Sequence, residues 1–472
     1  MVCNRESALN ILEKEHISSI IIFPAMIKRI EKKKGGGTVN FKNKLALGLI
    51  VAAAFSACKS RNVFQTAGKG GLTAPPGMVY IPSGTINYTN SMDSAGVPKM
   101  YSVSAFYMDK TEVTNEQYSK FINWVADSVA ITDYLKDEQY FLKEKGVSTR
   151  TSKTTTTAIA TPTTLSSPAK RINWSKVNPD APLWKSNKGD IQSKLAPMLT
   201  ERGGKKILDP EKVKYRFGYI KHGGTMDNKY VIDTVSVMPE ADVWSKDFPN
   251  AQMAIYDGNY LDHKAFRQNP VVGVNWKQAR AYSDWKGKEM SAEANKNPYL
   301  RGFNLVYTLP TEAQWQRSAS GSDNYLDTAA MKLTKTDKKT KKELLAINYK
   351  QGEGSYSKDG STFTVPVTSY QPNGFGLYNM LGNVAEWTLD AYSPSSYSFI
   401  NDLNPVLLFD ASSSDSEALT RKVVRGGSWK DPGTALNPDT RNYEPQYTGH
   451  SYVGFRCAMA AMELSSSQLR SK

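Results

Sequence analysis

Cysteine and histidine are scarce in this 472-residue chain, and their scarcity removes whole classes of chemistry. The three cysteines, Cys3, Cys58 and Cys457, are too few and too far apart to build a disulfide framework. The four histidines, His16, His222, His263 and His450, are scattered, and none has a second ligand at metal spacing. That pattern argues against a histidine metal centre and against a Ser-His-Asp hydrolase. Long apolar runs are missing too. The longest, residues 45–57, is shorter than the roughly 20 residues a membrane-crossing helix needs.

Acidic residues are outnumbered 45 to 60 by lysine and arginine, for a formal charge of +15. Such an excess suits an anionic partner. Much of it, however, sits in residues 28–44 and in the run KTDKKTKK at 335–342, which reads as a solvated loop. Zinc spacing, RNP-like aromatics and a basic reading helix are absent, so no nucleic-acid partner is expected. What is present is 40% hydrophobic and 11% aromatic residues, enough for a large folded core.

The N-terminal segment reads as an address. Lysines 42 and 44 precede the short apolar run, and Ser56 and Ala57 stand directly before Cys58. This is the layout of a lipoprotein signal peptide over residues 39–57, with cleavage before Cys58 and a lipid attached to its sulfur. Two or three acyl chains, at about 0.8 kcal/mol for each buried methylene, would make the anchor permanent. Residues 1–38 then form an upstream extension outside the mature protein. Residues 58–76, polar and rich in Gly, Ala and Pro, form a flexible tether.

Beyond the tether, the spacing predicts strands over residues 78–81 and 101–108. Thr114 and Gln117 form a capping box that opens a helix running to about Val125, with Val113 stapled onto Tyr118. The same grammar recurs at Asn275 and Gln278, imperfectly, and at Thr311 and Gln314 in full. The aromatics on these helices, Tyr282, Trp285 and Trp315, are expected in the core. Residues 127–262 read as an insertion containing a Ser/Thr-rich mobile loop at 148–167. Its end, residues 231–248, regains strand-like alternation and closes on VWSKDF.

Seven motifs occur in order: GMVYIPSG (77–84), SAFYMDKTEVTNEQYSKFINW (104–124), NPVVGVNWKQARAYSDW (269–285), LPTEAQW (309–315), NGFGLYNMLGNVAEW (373–387), VVRGGSW (423–429) and GFRCA (454–458). Together they resemble the formylglycine-generating, sulfatase-modifying enzyme family. The resemblance implies an α+β fold related to C-type lectins, with little regular secondary structure. Residues 77–126 and 263–462 would form it on either side of the insertion, followed by a polar tail at 463–472.

It also implies structural calcium held by Asn379, Gly382, Val384 and Glu386, and a second, shortened site at Asn348, Tyr349, Asp359 and Ser361. These are hard oxygen donors of the kind calcium takes. The family's copper-binding cysteine pair would fall at Asp431 and Leu436. Leucine cannot ligate and aspartate is a hard donor, so copper and the oxidation it supports are not expected. Cys457 matches a core cysteine.

The motifs YMDKTEVTNEQYSKFINWVADS, KVKYRFGY, VWSKDF and PVVGVNWKQA further resemble the GldK (PorK) group of lipoproteins of gliding motility and type IX secretion, with the GldJ group second. That resemblance implies a non-catalytic ring component on the periplasmic face of the outer membrane. Its partners would be a GldN or PorN-like periplasmic protein and other secretion components. Lys59-Ser60-Arg61-Asn62 lacks the acidic cluster of surface display, in keeping with that face. A peptide-modifying enzyme of altered chemistry and a lectin-like binding module are the competing expectations.

Overall fold

The computed structural model describes residues 74–461 except 89–98, 144–169, 224–227, 298–299, 322–333, 337–342, 346, 352–355 and 357–360, together with the short pair Thr66–Ala67 and Gly71–Leu72. Cys58, the signal and extension segments, the loop at 148–167, Asp359 and the tail at 463–472 lie outside the described residues. Of the lysine run expected as a loop, Lys335 and Thr336 instead pair with Leu344 and Glu343 in a three-residue ladder; 337–342 are outside the described set.

Strands β1 (Met78–Ile81), β2 (Gly84–Tyr88), β3 (Lys99–Val103) and β4 (Phe106–Asp109) open the domain. The single strand expected over 101–108 is thus two. The Ser104 amide donates to Asn404 Oδ1 at 2.7 Å, leaving the ladder, and the chain changes sheets there. β3 pairs with β2, whereas β4 pairs with β1.

Helix α1 (Asn115–Val129) starts on the expected capping box, with Thr114 and Gln117 bonding each other's backbone amides. Its buried Tyr118, Phe121, Ile122 and Val125 follow helical spacing and face the core. It outruns the expected end because Ala126, Val129 and Ala130 extend the apolar stripe, and a π-turn to Leu135 then stops at Lys136, whose φ is 51°.

The expected insertion has regular structure in its described part. It contains α2 (Gly189–Leu195), the hairpin β5 (Leu199–Arg202) and β6 (Lys205–Leu208), and the longer hairpin β7 (Lys214–Lys221) and β8 (Lys229–Ser236). Residues expected to continue as strand form the short helix α3 (Val243–Asp247). The Asp257 carboxylate accepts from the Trp244 and Ser245 amides at its start, a capping bond that no local pattern announces.

Helices α4 (Trp276–Ala294) and α5 (Glu312–Ala319) each begin on a complete capping box, at Asn275 with Gln278 and at Thr311 with Gln314. The first had read as imperfect, yet Asn accepts the amide bond as Thr does. The C-terminal part forms β9 (Ala385–Ala391), β10 (Arg421–Arg425), β11 (Arg441–Pro445) and β12 (Val453–Gly454), in sheet order β11–β10–β9–β12. Then β13 (Ala458–Ala460) returns to pair with β4, so both ends of the domain share one three-stranded sheet.

Of the helix aromatics expected in the core, Tyr282 and Trp315 are buried and Trp285 only partly so; Trp244, Trp276 and Trp387 are fully buried as well. The largest apolar cluster joins Tyr118, Phe121 and Tyr282 to Tyr215 and Phe217 of β7. Tyr118 and Tyr282 stack with ring centroids 5.6 Å apart, and Phe455 meets both edge-on. Such pairs add about 0.5–1.5 kcal/mol beyond area burial. They lock α1, α4 and the GFRCA loop into one frame.

Candidate functional site

Strand β10 ends in a turn that only glycine accommodates. Gly426 and Gly427 have φ of 94° and 66°, and a Cβ on Gly427 would stand 2.6 Å from Leu436 Cδ2. Ser428 follows, and both its amide and its hydroxyl donate to Asp431 Oδ2, at 2.9 and 2.7 Å. The Asp431 carbonyl accepts from the Lys350 amide, and the Lys430 ammonium lies 3.9 Å from Oδ1. Asp431 is therefore the cap of its own turn. Leu436 is buried, packed in one cluster with Trp315, Met380 and Leu381. The two positions expected to match the cysteine pair come together in space around Gly427, one as a hydrogen-bond acceptor and the other as apolar filling.

Trp429 turns inward. Its indole donates to the Ser451 carbonyl, and its ring meets Trp244, Phe248 and Phe363 at 5.2–5.9 Å. Cys457 is the free cysteine among the described residues, and it is buried. Burial pushes its thiol up to about 12, against the pull of the nearby Lys286 ammonium, so it is protonated at neutral pH.

The loop before β9 needs left-handed backbone at Asn379, Gly382 and Asn383, with φ of 48°, 75° and 60°. Asn and Gly are the residues that tolerate it. A Cβ on Gly382 would sit 2.3 Å from the Asn348 carbonyl. Beneath the loop lies a charge cluster that the sequence reading only half identified.

Arg456 grips Glu386 with two bonds, Nε to Oε2 at 2.7 Å and Nη2 to Oε1 at 2.6 Å. Its remaining donors reach the carbonyls of Asp109, Lys110 and Tyr378. Glu112, 4.0 Å from Arg456, accepts from the side chains of Asn379 and Asn383. Burial, together with the like charge of Glu386, holds its carboxyl well above the ordinary range even though Arg456 pulls the other way. Asn383, Glu112 and Arg456 were missed as members of this cluster. The only available signal was their place inside the shared motifs, since charge pairs between segments far apart in sequence leave no local pattern.

As a calcium site, the expected set has a partial fit. Glu386 Oε2 already accepts from Arg456 and from the Trp315 indole, at 3.0 Å for the latter, so Oε1 keeps the one open lone pair. Asn379 donates its amide to Glu112 and to the Val367 carbonyl, so the donors it could offer an ion reduce to its side-chain oxygen, with the main-chain oxygens of Gly382 and Val384 completing the expected set. In the second set, the Asn348 carbonyl is taken by the Asn383 amide, and Ser361 bonds the Phe363 carbonyl. Tyr349 is partly buried against the apolar cluster of Trp315 and Leu436, and Asp359 is outside the described residues.

A second charge group ties α3 to the C-terminal sheet. His450 Nδ1 lies 3.0 Å from Asp247 and Nε2 lies 3.3 Å from Glu444, while Ser451 donates from both its amide and its hydroxyl to Asp247.

The domain thus has a mixed fold with short strands, a glycine turn of sequence GGSW, and a GNVAEW loop clamped by the arginine of GFRCA. The chain belongs to the family of sulfatase-modifying factor enzyme 1-like domains, which matches residues 63–257 and 257–461. The formylglycine-generating enzyme of Streptomyces coelicolor is 28% identical over 255 residues, spanning 51% of this chain and 71% of that protein. The serine/threonine-protein kinase pkn1 of Chlamydia pneumoniae is 30% identical over 204 residues, 43% of this chain but only 26% of the kinase. Among solved structures, PvdO from Pseudomonas aeruginosa covers 81% of this chain and 94% of its own, at 15% identity and a TM-score of 0.39.

Proposed function

We propose that this chain is a non-catalytic lipoprotein of the outer membrane, anchored through Cys58 on the periplasmic side, and that its domain serves as a ring or scaffold component of a type IX secretion and gliding machinery of the GldK or PorK kind. The observation that carries the non-catalytic part is the state of Asp431 and Leu436. The first is consumed by Ser428, and the second is buried under Gly427. Neither is poised to bind a soft metal ion or to attack a peptide, and Cys457 is too deeply buried to stand in for them. The scaffold part and the GldN or PorN-like partner rest on the resemblance of the motifs and on the lipoprotein signal.

Calcium belongs to this reading as a structural tie at Asn379, Gly382, Val384 and Glu386, with copper playing no part. It would bind through the open lone pair of Glu386. Titration of the purified domain with calcium after chelation should raise its melting temperature; no shift at millimolar calcium would remove the ion from the proposal.

The deciding experiment is affinity isolation of the membrane-bound protein in detergent. A large particle containing a GldN-like partner, together with a lipid-modified Cys58 peptide in mass spectra, is the expected result. A monomer that oxidises a cysteine-containing peptide in the presence of copper and oxygen would sink the reading.

A further inference from the structure

We propose that the β7–β8 hairpin is a membrane-contact surface that lays its outer face on a bilayer of anionic lipid. Inner and outer residues alternate along both strands, as they do in a half-buried sheet. Tyr215, Phe217 and Val235 are buried, whereas Arg216, Ile220, Tyr230, Ile232 and Thr234 face out and are exposed. The register sets Tyr230 opposite Ile220, Ile232 opposite Gly218 and Thr234 opposite Arg216. Tyr230 keeps 70% of its surface exposed, Ile232 54% and Ile220 53%, so three large apolar side chains stand together on one face. A single exposed apolar residue needs no explanation, but a contiguous group marks a contact surface.

The hairpin also carries a net positive charge. Lys214, Arg216, Lys221 and Lys229 outnumber its two acids, Asp227 in the turn and Asp233. Asp233 belongs to the inner set and is held by Lys277 at 2.8 Å, and Asp227 lies outside the described residues. Lys214 pairs with Glu211, just ahead of the strand. Lys221 and Lys229 stand directly opposite each other in the ladder. Like charges so placed destabilise a hairpin, and an anionic surface relieves their repulsion. Cations thus flank the apolar group at both ends.

This arrangement favours lipid over a second copy of the chain or an acidic protein. Two such faces laid together would set cations against cations in either direction. The Tyr230 ring also lies across Gly218, where an added Cβ would run into its phenol. The hollow a glycine leaves is therefore filled, not open to a partner's anchoring side chain. A tyrosine at headgroup level, aliphatic side chains beside it and lysines that reach the phosphates are the parts of an interfacial contact. The choice of a bilayer rests on the anchor proposed at Cys58. A lipid about twenty residues before β1 would keep the domain beside a membrane, so that a weak contact suffices to orient it.

The test uses the chain from residue 58 onward, which keeps the whole matched domain, with Cys58→Ser so that no acyl chain is attached. Sedimentation with phosphatidylcholine vesicles, with and without phosphatidylglycerol, reads the binding, and soluble polyglutamate serves as a protein-like anion. The chain should bind the phosphatidylglycerol vesicles at least tenfold more tightly than the neutral ones. Lys221→Glu/Lys229→Glu and Tyr230→Ser/Ile232→Ser should each weaken that binding at least fivefold. Lys188→Glu/Lys194→Glu, which reverses two exposed cations at α2, should leave it within twofold. Unchanged melting curves would show the variants folded. No preference for anionic vesicles, an equal loss in the α2 variant, unchanged binding in a folded hairpin variant, or capture of polyglutamate without vesicles would each overturn the proposal. Failure of the anchor reading is a separate result, seen as an unmodified Cys58 peptide.

Discussion

At the scale of single residues, Arg456 does the most structural work per side chain. It is fully buried, and its donors are shared between Glu386 and three main-chain carbonyls. Replacing it leaves Glu386 buried without its countercharge and strips those carbonyls. Breaking such a pair from one side costs roughly 3–5 kcal/mol. Arg456→Met should therefore lower the denaturant midpoint far more than a surface Arg→Met control. The double variant Arg456→Met/Glu386→Gln should recover part of the loss, because the orphaned charge is gone; absence of any recovery would show that the cost lies in packing instead.

His450 gives a pH signature at the same scale. Burial alone would lower its imidazole, but the hydrogen bond to Asp247 and the nearby Glu444 carboxylate outweigh burial and raise it from 6.5 to about 9. A base whose folded value is raised contributes stability that is complete below its unfolded value and is lost as pH rises through the folded one. Between pH 6.5 and 9, then, the wild-type protein should lose stability that His450→Gln does not lose. Urea midpoints taken across that window measure the difference. Parallel curves for the two proteins would count against a charged His450.

At the scale of elements, the helix starts were legible and the strand limits were not. Thr114, Asn275 and Thr311 each cap a helix as their spacing to a glutamine three residues on requires. That signal is local, because donor and acceptor are on the same turn. The break at Ser104 depends on Asn404, three hundred residues away, and α3 is held by Asp257 and by the aromatic wall of Trp429. Neither partner can be inferred from the segment itself. The same limit applied to the candidate site. Asp431 and Leu436 were found by matching a motif, but the partners that explain them, Ser428 and Gly427, appear only once the turn is folded. The caps are open to a direct test. Thr311→Ala removes the hydroxyl that accepts the Gln314 amide and should cost about 1 kcal/mol, read as a fall in melting temperature. Thr311→Ser, which keeps the acceptor, should recover most of it.

At the scale of the whole molecule, the segment expected as an insertion, residues 127–262, is part of the core and not an appendage. Leu195, Met198, Leu208, Tyr215 and Phe217 share one buried cluster with Tyr118, Tyr282 and Phe455. Polar ties repeat the connection: Asp127 accepts from the Leu183 amide, Trp184 donates to Asn123, Tyr215 donates to Asp284, and Gln278 donates to the carbonyls of Ser236 and Met238. Two halves joined by this much buried apolar contact have no reason to unfold separately, although a domain of this size is large enough for intermediates. Far-UV circular dichroism and tryptophan fluorescence should therefore report the same urea midpoint. Phe217→Ala, in β7, sharpens the test. It removes a buried ring that stacks on Tyr215 at 6.0 Å and should lower stability by about 3–5 kcal/mol. If the core is shared, that loss moves both signals together, including those of Trp315 and Trp387 in the C-terminal half. An early transition confined to part of the signal, with the rest unmoved, would mean that residues 127–262 fold as a unit of their own.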